Sequence, residues 1–191
     1  MKIQPENTAI TTGVSKSAKE LERQSNKEDR ILDYGSGKFR NSKYLKEKGL
    51  HVSVLDTDFQ IQKATEEDKE SFEDIFTLET YEPHSDYNSV LCSFVLNVIP
   101  EEEKRKEALE NIHQSLKENG KLFLEVRGKN GILKNKYKEP YNDGYVIGKN
   151  EIKTFQKPYE KEELENLLKD KFEIEKIQTL SDSVFAIAKK K

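Results

Sequence analysis

The stretch "RILDYGSGKFR" (residues 30–40) decides the fold, because a short apolar run ends in an acid and an aromatic residue and is followed at once by two glycines. "RILDY" has the β-branched and aromatic content of a buried strand. Gly35 and Gly37 can adopt backbone angles closed to other residues, and without a Cβ they let a ligand approach the main chain. The stretch therefore predicts a strand that leads into either a ligand-binding loop or a simple tight turn.

Strand-like and helix-like segments alternate along the chain. Strands are predicted at "RILDY", "HVSVLDTD", "NSVLCSF", "KLFLEVRG", "FEIEKIQT" and "SVFAIAKK". Helices are predicted at "RNSKYLKEKG", "EEEKRKEALENIHQSLKENG" and "EKEELENLLKDK", the first two ending at Gly49 and Gly120. This alternation is typical of an α/β fold with a parallel sheet covered by helices on both faces. The last two strands are predicted to close the sheet as an antiparallel pair.

The composition indicates one domain without a strong net charge. Of the 191 residues 34% are hydrophobic, and Lys+Arg 33 nearly balance Asp+Glu 36, so no global field recruits nucleic acid or an anionic membrane. The single cysteine, Cys92, permits no internal disulfide and is predicted to lie in the core. The N-terminus lacks a signal peptide's apolar segment, and no apolar run approaches the roughly 20 residues that span a bilayer. We expect a cytoplasmic protein without a membrane segment.

Histidine and cysteine give no metal signal. His51, His84 and His113 are scattered along the chain, and Cys92 stands alone. Metal sites need such ligands at short, characteristic spacings, as in paired Cys or His motifs. We therefore expect no bound metal, and none of the histidines is assigned a catalytic role.

Features after the first two strands point to one ligand. In open α/β sheets, ligands bind at the carboxyl ends of the strands, where the winding reverses. The backbone N–H groups from Gly35 to Gly37 would face a nucleotide-like ligand there. Asp56 ends the second strand about twenty residues later, where a carboxylate can accept both hydrogen bonds of a ribose diol. Asp58, which follows Asp56, is as compatible with a helix cap as with a ligand contact.

The segments "ILDYGSG", "VSVLDTD", "YNSVLCSFVLNVIP" and "GKLFLEVRG" resemble the successive motifs of class I S-adenosylmethionine-dependent methyltransferases. The resemblance runs from Asp29 to the C-terminus. It implies a Rossmann-like α/β fold with a seven-stranded, mostly parallel sheet, a terminal antiparallel strand and helices on both faces. It also implies that S-adenosylmethionine is the cofactor.

The resemblance assigns cofactor contacts residue by residue. Asp33 and the two loop glycines match the residues that hold the methionine part, and Asp56 matches the acid that holds the ribose. Asp74, in "FEDIF", is the candidate for the acid after the third strand that contacts the adenine amine; an ordinary solvated acid is the alternative. The predicted cofactor-binding residues are Asp33, Gly35, Ser36, Gly37, Asp56, Thr57, Asp74 and Phe94.

An NAD-binding Rossmann domain is the nearest competing interpretation. Its G-x-G-x-x-G fingerprint has a third glycine where this chain has Arg40, which disfavours nicotinamide binding. The methyltransferase loop also has a usual third glycine, which is Phe39 here. Because of that departure, the sequence does not determine the conformation of the loop.

Acceptor contacts are predicted in two places. Asn97 follows the strand "NSVLCSF", where its amide can orient a substrate or satisfy local backbone. Residues 128–159 form a long insertion rich in Tyr and Lys, in which Tyr141 and Tyr145 are predicted substrate contacts and the lysines can neutralise phosphate. The alternative is a solvated excursion with a hairpin at "GYVIG" and "EIKTF". The Asn-Pro-Pro-aromatic tetrapeptide of amino-methylating DNA enzymes is missing from the sequence.

The chain divides into an N-terminal segment, residues 1–28, and a methyltransferase domain, residues 29–191. Within the first, residues 15–23 predict a helix, with Ser17 and Glu20 at capping-box spacing. This helix either covers the ligand as a lid or packs against the sheet.

We therefore predict an S-adenosylmethionine-dependent methyltransferase with a small-molecule or nucleic-acid acceptor. Transfer from a sulfonium is an in-line displacement that positioning and desolvation can promote without a catalytic triad or a metal. "TAITTGVSKSAKEL" and "SFVLNVIPEEEKRKEAL" further resemble proteins associated with DNA phosphorothioation. The alternative function is accordingly a catalytically silent, cofactor-binding accessory protein of a nucleic-acid modification system.

Overall fold

The computed structural model describes residues 2–4, 13–149 and 151–191 of the chain. The elements, in chain order, are β1 (Lys2–Ile3), α1 (Lys16–Gln24), β2 (Arg30–Tyr34), α2 (Arg40–Glu47), β3 (His51–Asp56), α3 (Asp58–Ile61), α4 (Glu66–Ser71), β4 (Ile75–Thr77), β5 (Tyr87–Ser93), α5 (Glu102–Ser115), β6 (Leu116–Arg127), α6 (Lys129–Leu133), β7 (Lys138–Tyr141), β8 (Gly144–Ile147), β9 (Ile152–Gln156), α7 (Lys161–Leu168), β10 (Phe172–Thr179) and β11 (Ser183–Lys190). A short 3-10 turn, Leu96–Val98, follows β5. Within the described ranges, no helix has the length and apolar character needed to cross a bilayer.

The main sheet has seven strands in the order β10-β11-β6-β5-β2-β3-β4. β2 pairs in parallel with both β3 and β5, and the parallel pairing continues to β4 on one side and β6 on the other. β11 runs antiparallel to both β6 and β10. The predicted Rossmann-like α/β fold is therefore confirmed. Because the winding reverses at β2, the ligand crevice of such a sheet lies at its carboxyl end.

Apolar side chains cover both faces of the sheet, as expected for buried parallel strands. On one face, Leu32 of β2 belongs to a cluster that includes Leu109 of α5 and Leu164 of α7. On the other, its neighbour Ile31 belongs to a cluster that includes Leu45 of α2. Successive strand residues point to opposite faces, so one strand contributes to both clusters.

The N-terminal helix α1 packs against the sheet. Its buried Ala18 and Leu21 belong to the same cluster as Ile31. The helix cap is Ser15, whose side chain accepts a hydrogen bond from Ala18 N, rather than the predicted Ser17. Ser17 is buried, and its backbone N–H and hydroxyl both donate to a carboxylate oxygen of a buried glutamate of β6.

The insertion folds into a second, smaller sheet in the order β1-β9-β8-β7. The predicted hairpin is present, because β8 and β9 pair antiparallel with Val146 opposite Phe155. β1 adds in parallel to β9, so the start of the chain joins the insertion. Both Val146 and Phe155 are buried, which gives this sheet an apolar face of its own.

Two predicted element ends are wrong. The strand expected over residues 51–58 ends at Asp56, and Thr57 instead caps α3 by accepting a hydrogen bond from the Gln60 backbone N–H at 3.3 Å. The helix expected to end at Gly120 ends at Ser115. It stops early because the next residue, Leu116, already pairs with the sheet.

Candidate functional site

A cleft of about 520 Å³ opens at the carboxyl ends of β2, β3, β4 and β5. The glycine loop, the residues after β3 and β4, the segment after β5 and one face of α5 line it. Clefts of this size hold cofactors and drug-sized molecules. Six of the predicted cofactor-binding residues lie together in its lining: Gly35, Ser36, Gly37, Asp56, Thr57 and Phe94.

The glycine loop turns tightly over the end of β3. Gly35 and Gly37 have φ angles of 78° and 57°, a region that favours glycine. A Cβ on Gly35 would lie 2.3 Å from Val95 Cγ2. The Gly35 and Ser36 backbone N–H groups donate to the Leu55 carbonyl at 2.7 and 3.0 Å. The expectation that these two N–H groups face the ligand is therefore wrong, because the turn itself uses them.

Phe39 takes the place of the third loop glycine and still adopts the left-handed backbone conformation that glycine favours. Its φ of 61° is left-handed, and its backbone N–H donates to the Ser36 carbonyl at 2.9 Å. A left-handed non-glycine residue stores strain. The ring is buried and packs on Phe72 with 5.3 Å between ring centroids, which offsets that strain. The loop thus keeps a glycine-like turn while its third position becomes part of the core.

Asp56 joins the glycine loop to the end of β3. One carboxylate oxygen accepts a hydrogen bond from the Gly37 backbone N–H at 2.7 Å, and the other accepts from the Thr57 backbone N–H at 2.7 Å. The Thr57 hydroxyl also donates to this second oxygen, at 3.4 Å, and a carboxylate offers about four lone-pair positions in all. The arrangement fixes the side chain at the cleft surface, where it can accept from a ribose diol.

Two serine hydroxyls in the cleft have no partner within the described part of the chain. Ser36 Oγ and Ser93 Oγ are buried and make no hydrogen bond there. Both residues belong to the cleft lining. A buried polar atom without a hydrogen bond costs about 1–3 kcal/mol. These hydroxyls fit a ligand whose polar groups complete their hydrogen bonds.

Asp33 lies beneath the loop rather than in the cleft surface. Its carboxylate is almost fully buried and accepts a hydrogen bond from Ser42 Oγ. Burial raises the pKa of Asp33 to about 6; the Ser42 hydrogen bond opposes this rise, and the nearby Asp56 adds to it. Its contact with the methionine part stays a prediction, and its observed role is to support the turn from below.

We expect folding stability to report the Asp33 titration. The carboxyl pKa rises from 3.8 to about 6 on folding, so its proton is held more tightly in the folded state. Its contribution to stability is then complete below the unfolded pKa and falls by about 3 kcal/mol as pH rises through the folded pKa. Urea unfolding of wild type and Asp33→Asn across this range measures it. A difference between the two proteins that is independent of pH would contradict the assignment.

Asp74 does not reach the cleft, so its predicted adenine contact is wrong. It precedes β4 instead of following it, so it lies toward the amino ends of the strands, away from the cleft. There its carboxylate accepts from Ser53 Oγ at 3.2 Å and from Arg30 at 3.4 Å. Leu78 and Glu79 follow β4 and line the cleft. The acid at the end of this strand is therefore Glu79.

The predicted acceptor contacts also lie outside the cleft lining. Asn97 is fully buried, and its amide donates to Gln156 Oε1 at 2.9 Å and accepts from the Arg127 backbone N–H at 3.4 Å. The side chain thus connects the insertion to β6, which corrects the prediction that it orients a substrate. Tyr141 packs edge-on against a buried phenylalanine of β9, and Tyr145 lies half-buried in β8. Acceptor contacts by these two tyrosines stay predictions.

The sequence-based assignment missed several residues of the cleft. Arg40 and Asn41 line it from the first turn of α2, directly after the glycine loop. α5 contributes Lys104, Glu107, Ala108 and Asn111, whose spacing places them on one helix face. That spacing was readable in the sequence, but the side of the sheet that α5 covers was not. Among the described residues, no group of three or more His, Cys, Asp or Glu side chains forms a candidate metal site.

The chain matches the family described as "Methyltransferase domain" over residues 10–172. A search of curated protein sequences finds no match. Among solved structures, an S-adenosylmethionine-dependent methyltransferase from Methanosarcina mazei is 20% identical with a TM-score of 0.72, and the match covers 90% of this chain and 96% of that one. The Burkholderia thailandensis 1,6-didemethyltoxoflavin-N1-methyltransferase, bound to 1,6-didemethyltoxoflavin and S-adenosylhomocysteine, is 17% identical with a TM-score of 0.67, covering 91% and 76%. The chain belongs to the methyltransferase domain family, which confirms the predicted resemblance to class I S-adenosylmethionine-dependent methyltransferases.

Proposed function

We propose that the protein transfers the methyl group of S-adenosylmethionine to a small-molecule acceptor. The observation that carries the proposal is the cleft in which a left-handed glycine loop, Asp56 and the Ser36 hydroxyl meet; among the described residues this hydroxyl has no hydrogen-bond partner. Asp56 would accept from the ribose hydroxyls. Leu78 and Glu79 would lie beside the adenine, and the amino-acid end would lie over the glycine loop.

Catalysis would rest on positioning and on the exclusion of water. The cofactor supplies, when bound, a methyl group on a sulfonium that is already activated for displacement. Val95, Val98 and Ile99 give the cleft an apolar wall, which would limit water around the transferring methyl. We assign no general base, since none is needed where the acceptor is itself a good nucleophile.

Three observations support a small-molecule acceptor. Positive and negative side chains nearly balance over the chain, which provides no general attraction for nucleic acid. Tyr141 and Tyr145, the predicted base-stacking residues, lie outside the cleft lining. The Burkholderia thailandensis relative holds a small molecule together with S-adenosylhomocysteine. The resemblance to phosphorothioation-associated proteins stays a prediction.

Two measurements test the proposed function in sequence. Calorimetric titration with S-adenosylhomocysteine should show binding to wild type. Transfer of labelled methyl from S-adenosylmethionine is then screened against separate pools of small molecules, protein, DNA and RNA, and label should appear in the small-molecule pool. Binding without transfer to any pool would favour the silent accessory protein. No binding of S-adenosylhomocysteine would reject the proposed cofactor.

The insertion lysines provide a separate test of acceptor type. Lys134, Lys136 and Lys138 are replaced together by Gln, and binding to single- and double-stranded DNA and RNA is titrated against salt. We expect wild type and the triple variant to behave alike, since a small-molecule acceptor requires no phosphate contacts from these side chains. Each phosphate contact would release counterions and steepen the salt dependence. Steep salt dependence in wild type that flattens in the variant would favour a nucleic-acid acceptor instead.

A further inference from the structure

Two arginines lie against one aromatic ring at the edge of the cleft. The Arg127 guanidinium carbon is 4.5 Å from the Phe94 ring centroid, and the Arg40 guanidinium carbon is 6.0 Å from the same centroid. Both distances fall within the range of cation–π contact. Arg40 and Phe94 are lining residues of the cleft. Two like charges therefore converge at one corner of the site.

The backbone holds Phe94 firmly in this place. Its φ is 61°, a strained value for an aromatic residue, and its backbone N–H donates to the Glu125 carbonyl at 2.7 Å. Strain of this kind persists where the surrounding structure fixes it, and it is concentrated at ligand sites. The hydroxyl of the neighbouring Ser93, also in the cleft lining, makes no hydrogen bond to any part of the chain that the structure describes. Ser93 is only 9% exposed, so a ligand at this corner would complete its hydrogen bond.

The nearby carboxylates are directed toward partners inside the protein. Glu125 accepts hydrogen bonds from the backbone N–H and hydroxyl of Ser17 and from the hydroxyl of Ser183. Asp33 accepts from Ser42 beneath the loop. Arg40 donates one hydrogen bond to a backbone carbonyl at Gly13, and it forms no ion pair within the described ranges. Because the described residues show no other hydrogen bond from this side chain, most of its five N–H donors are available to a ligand.

Burial and the second arginine both act on the charge of Arg40. Burial lowers its pKa from the ordinary value, Asp33 and Glu125 oppose this change, and the positive charge of Arg127 adds to it. A guanidinium remains protonated even so. The bound sulfonium of the proposed cofactor would add further positive charge beside this corner. The positive charges of Arg40, Arg127 and the sulfonium would favour an anionic group arriving there, whereas the carboxylates of Asp33 and Glu125 oppose it.

We propose that the methyl acceptor carries an anionic oxygen group, a carboxylate or phosphate, which Arg40 and Ser93 bind at the Phe94 corner of the cleft. This inference rests on the proposed function, because it places the acceptor beside the cofactor. Phe94 follows β5 and Arg127 ends β6, whereas the loop follows β2, Asp56 ends β3 and Glu79 follows β4. The corner therefore lies on the side of the cleft away from the ribose site, where an acceptor has room.

The test uses protein saturated with S-adenosylhomocysteine and two matched pairs of probes, benzoate with benzamide and phenyl phosphate with phenol. We expect at least one anion to bind more tightly than its neutral partner. Arg40→Gln should weaken that anion by about tenfold, the loss of one charge-assisted hydrogen bond. Arg23→Gln is the matched control, since Arg23 is an exposed arginine of α1 that pairs with Glu20. It should leave every affinity unchanged.

The outcomes separate this inference from the proposed function. Equal affinity for anionic and neutral probes, or anion binding unaffected in Arg40→Gln, would overturn the acceptor assignment alone. A loss of S-adenosylhomocysteine affinity in Arg40→Gln, with methylthioadenosine affinity unchanged, would also overturn it, because the arginine would then bind the carboxylate of the cofactor. Failure of wild type to bind S-adenosylhomocysteine would reject the proposed function and this inference with it.

Discussion

Replacing Gly35 with valine should lower the affinity for S-adenosylhomocysteine by roughly 100-fold, the equivalent of about 3 kcal/mol. A Cβ at this position would lie 2.3 Å from Val95 Cγ2, and the backbone φ of 78° disfavours a β-branched residue. The loop would have to move away from Val95 and distort the surface on which the cofactor lies. We expect the free energy of unfolding to fall as well, by about 1–3 kcal/mol for an overpacked site.

A second set of variants separates the clash from the backbone strain. Gly35→Ala adds only the Cβ, and combining it with Val95→Ala removes the two nearest atoms, at 2.3 and 3.0 Å. We expect the double variant to recover part of the affinity that Gly35→Ala loses. Gly49→Ala is the matched control, because Gly49 has a φ of 84° but open space around its Cβ. It should cost about 1 kcal/mol of stability and leave affinity unchanged; no recovery in the double variant would rule out the clash.

The part of the site nearest the glycine loop was predictable because its signals are local. An apolar run followed by Gly35 and Gly37 indicates a strand and a left-handed turn, whatever the rest of the chain does. The position of Asp56 was predictable because one helix and one strand separate it from the loop. Both features depend on a single β-α-β unit, and the structure places them in one cleft.

Residues farther along the chain were misplaced because their position depends on packing. Asp74 was assigned to the wrong end of β4. This strand has only three residues, too few for an alternation of apolar and polar side chains to show where it begins and ends. Asn97 does lie near the carboxyl edge, but its amide is taken by Gln156 of the insertion. Nothing in the local sequence shows that contact. In the sequence, Arg40 stood out only because it replaces a glycine of the nucleotide-binding fingerprint. Its contact with the Phe94 ring depends on the pairing of β2 with β5, which brings the two residues together.

Phe39 shows that a loop can keep a left-handed backbone conformation at a position where the usual glycine of the motif is missing. The usual third glycine is absent, yet the residue at that position has the left-handed angle that glycine favours. Burial of an aromatic side chain against Phe72 stabilises the turn in its place. A motif search that requires the third glycine would miss this loop, whereas its backbone geometry is retained.

Replacing Asp56 with alanine should weaken S-adenosylhomocysteine binding by about 10- to 100-fold, as expected for lost hydrogen bonds to a charged acceptor. The same change also frees the Gly37 and Thr57 backbone N–H groups, which the carboxylate holds at 2.7 Å. Loss of affinity alone therefore does not separate a ribose contact from a disturbed loop. Comparison of S-adenosylhomocysteine with its 2′-deoxy analogue does.

Wild type should prefer the ribose form of this ligand, and the Asp56→Ala variant should bind both forms alike, because the acceptor of the 2′-hydroxyl is then missing. Asp58→Ala is the matched control, since Asp58 is exposed at the start of α3 and its carboxylate accepts from the Gln62 side chain. It should keep the full preference. A folded Asp56→Ala protein that still distinguishes the two ligands would assign the ribose to another residue and leave Asp56 as a support for the loop.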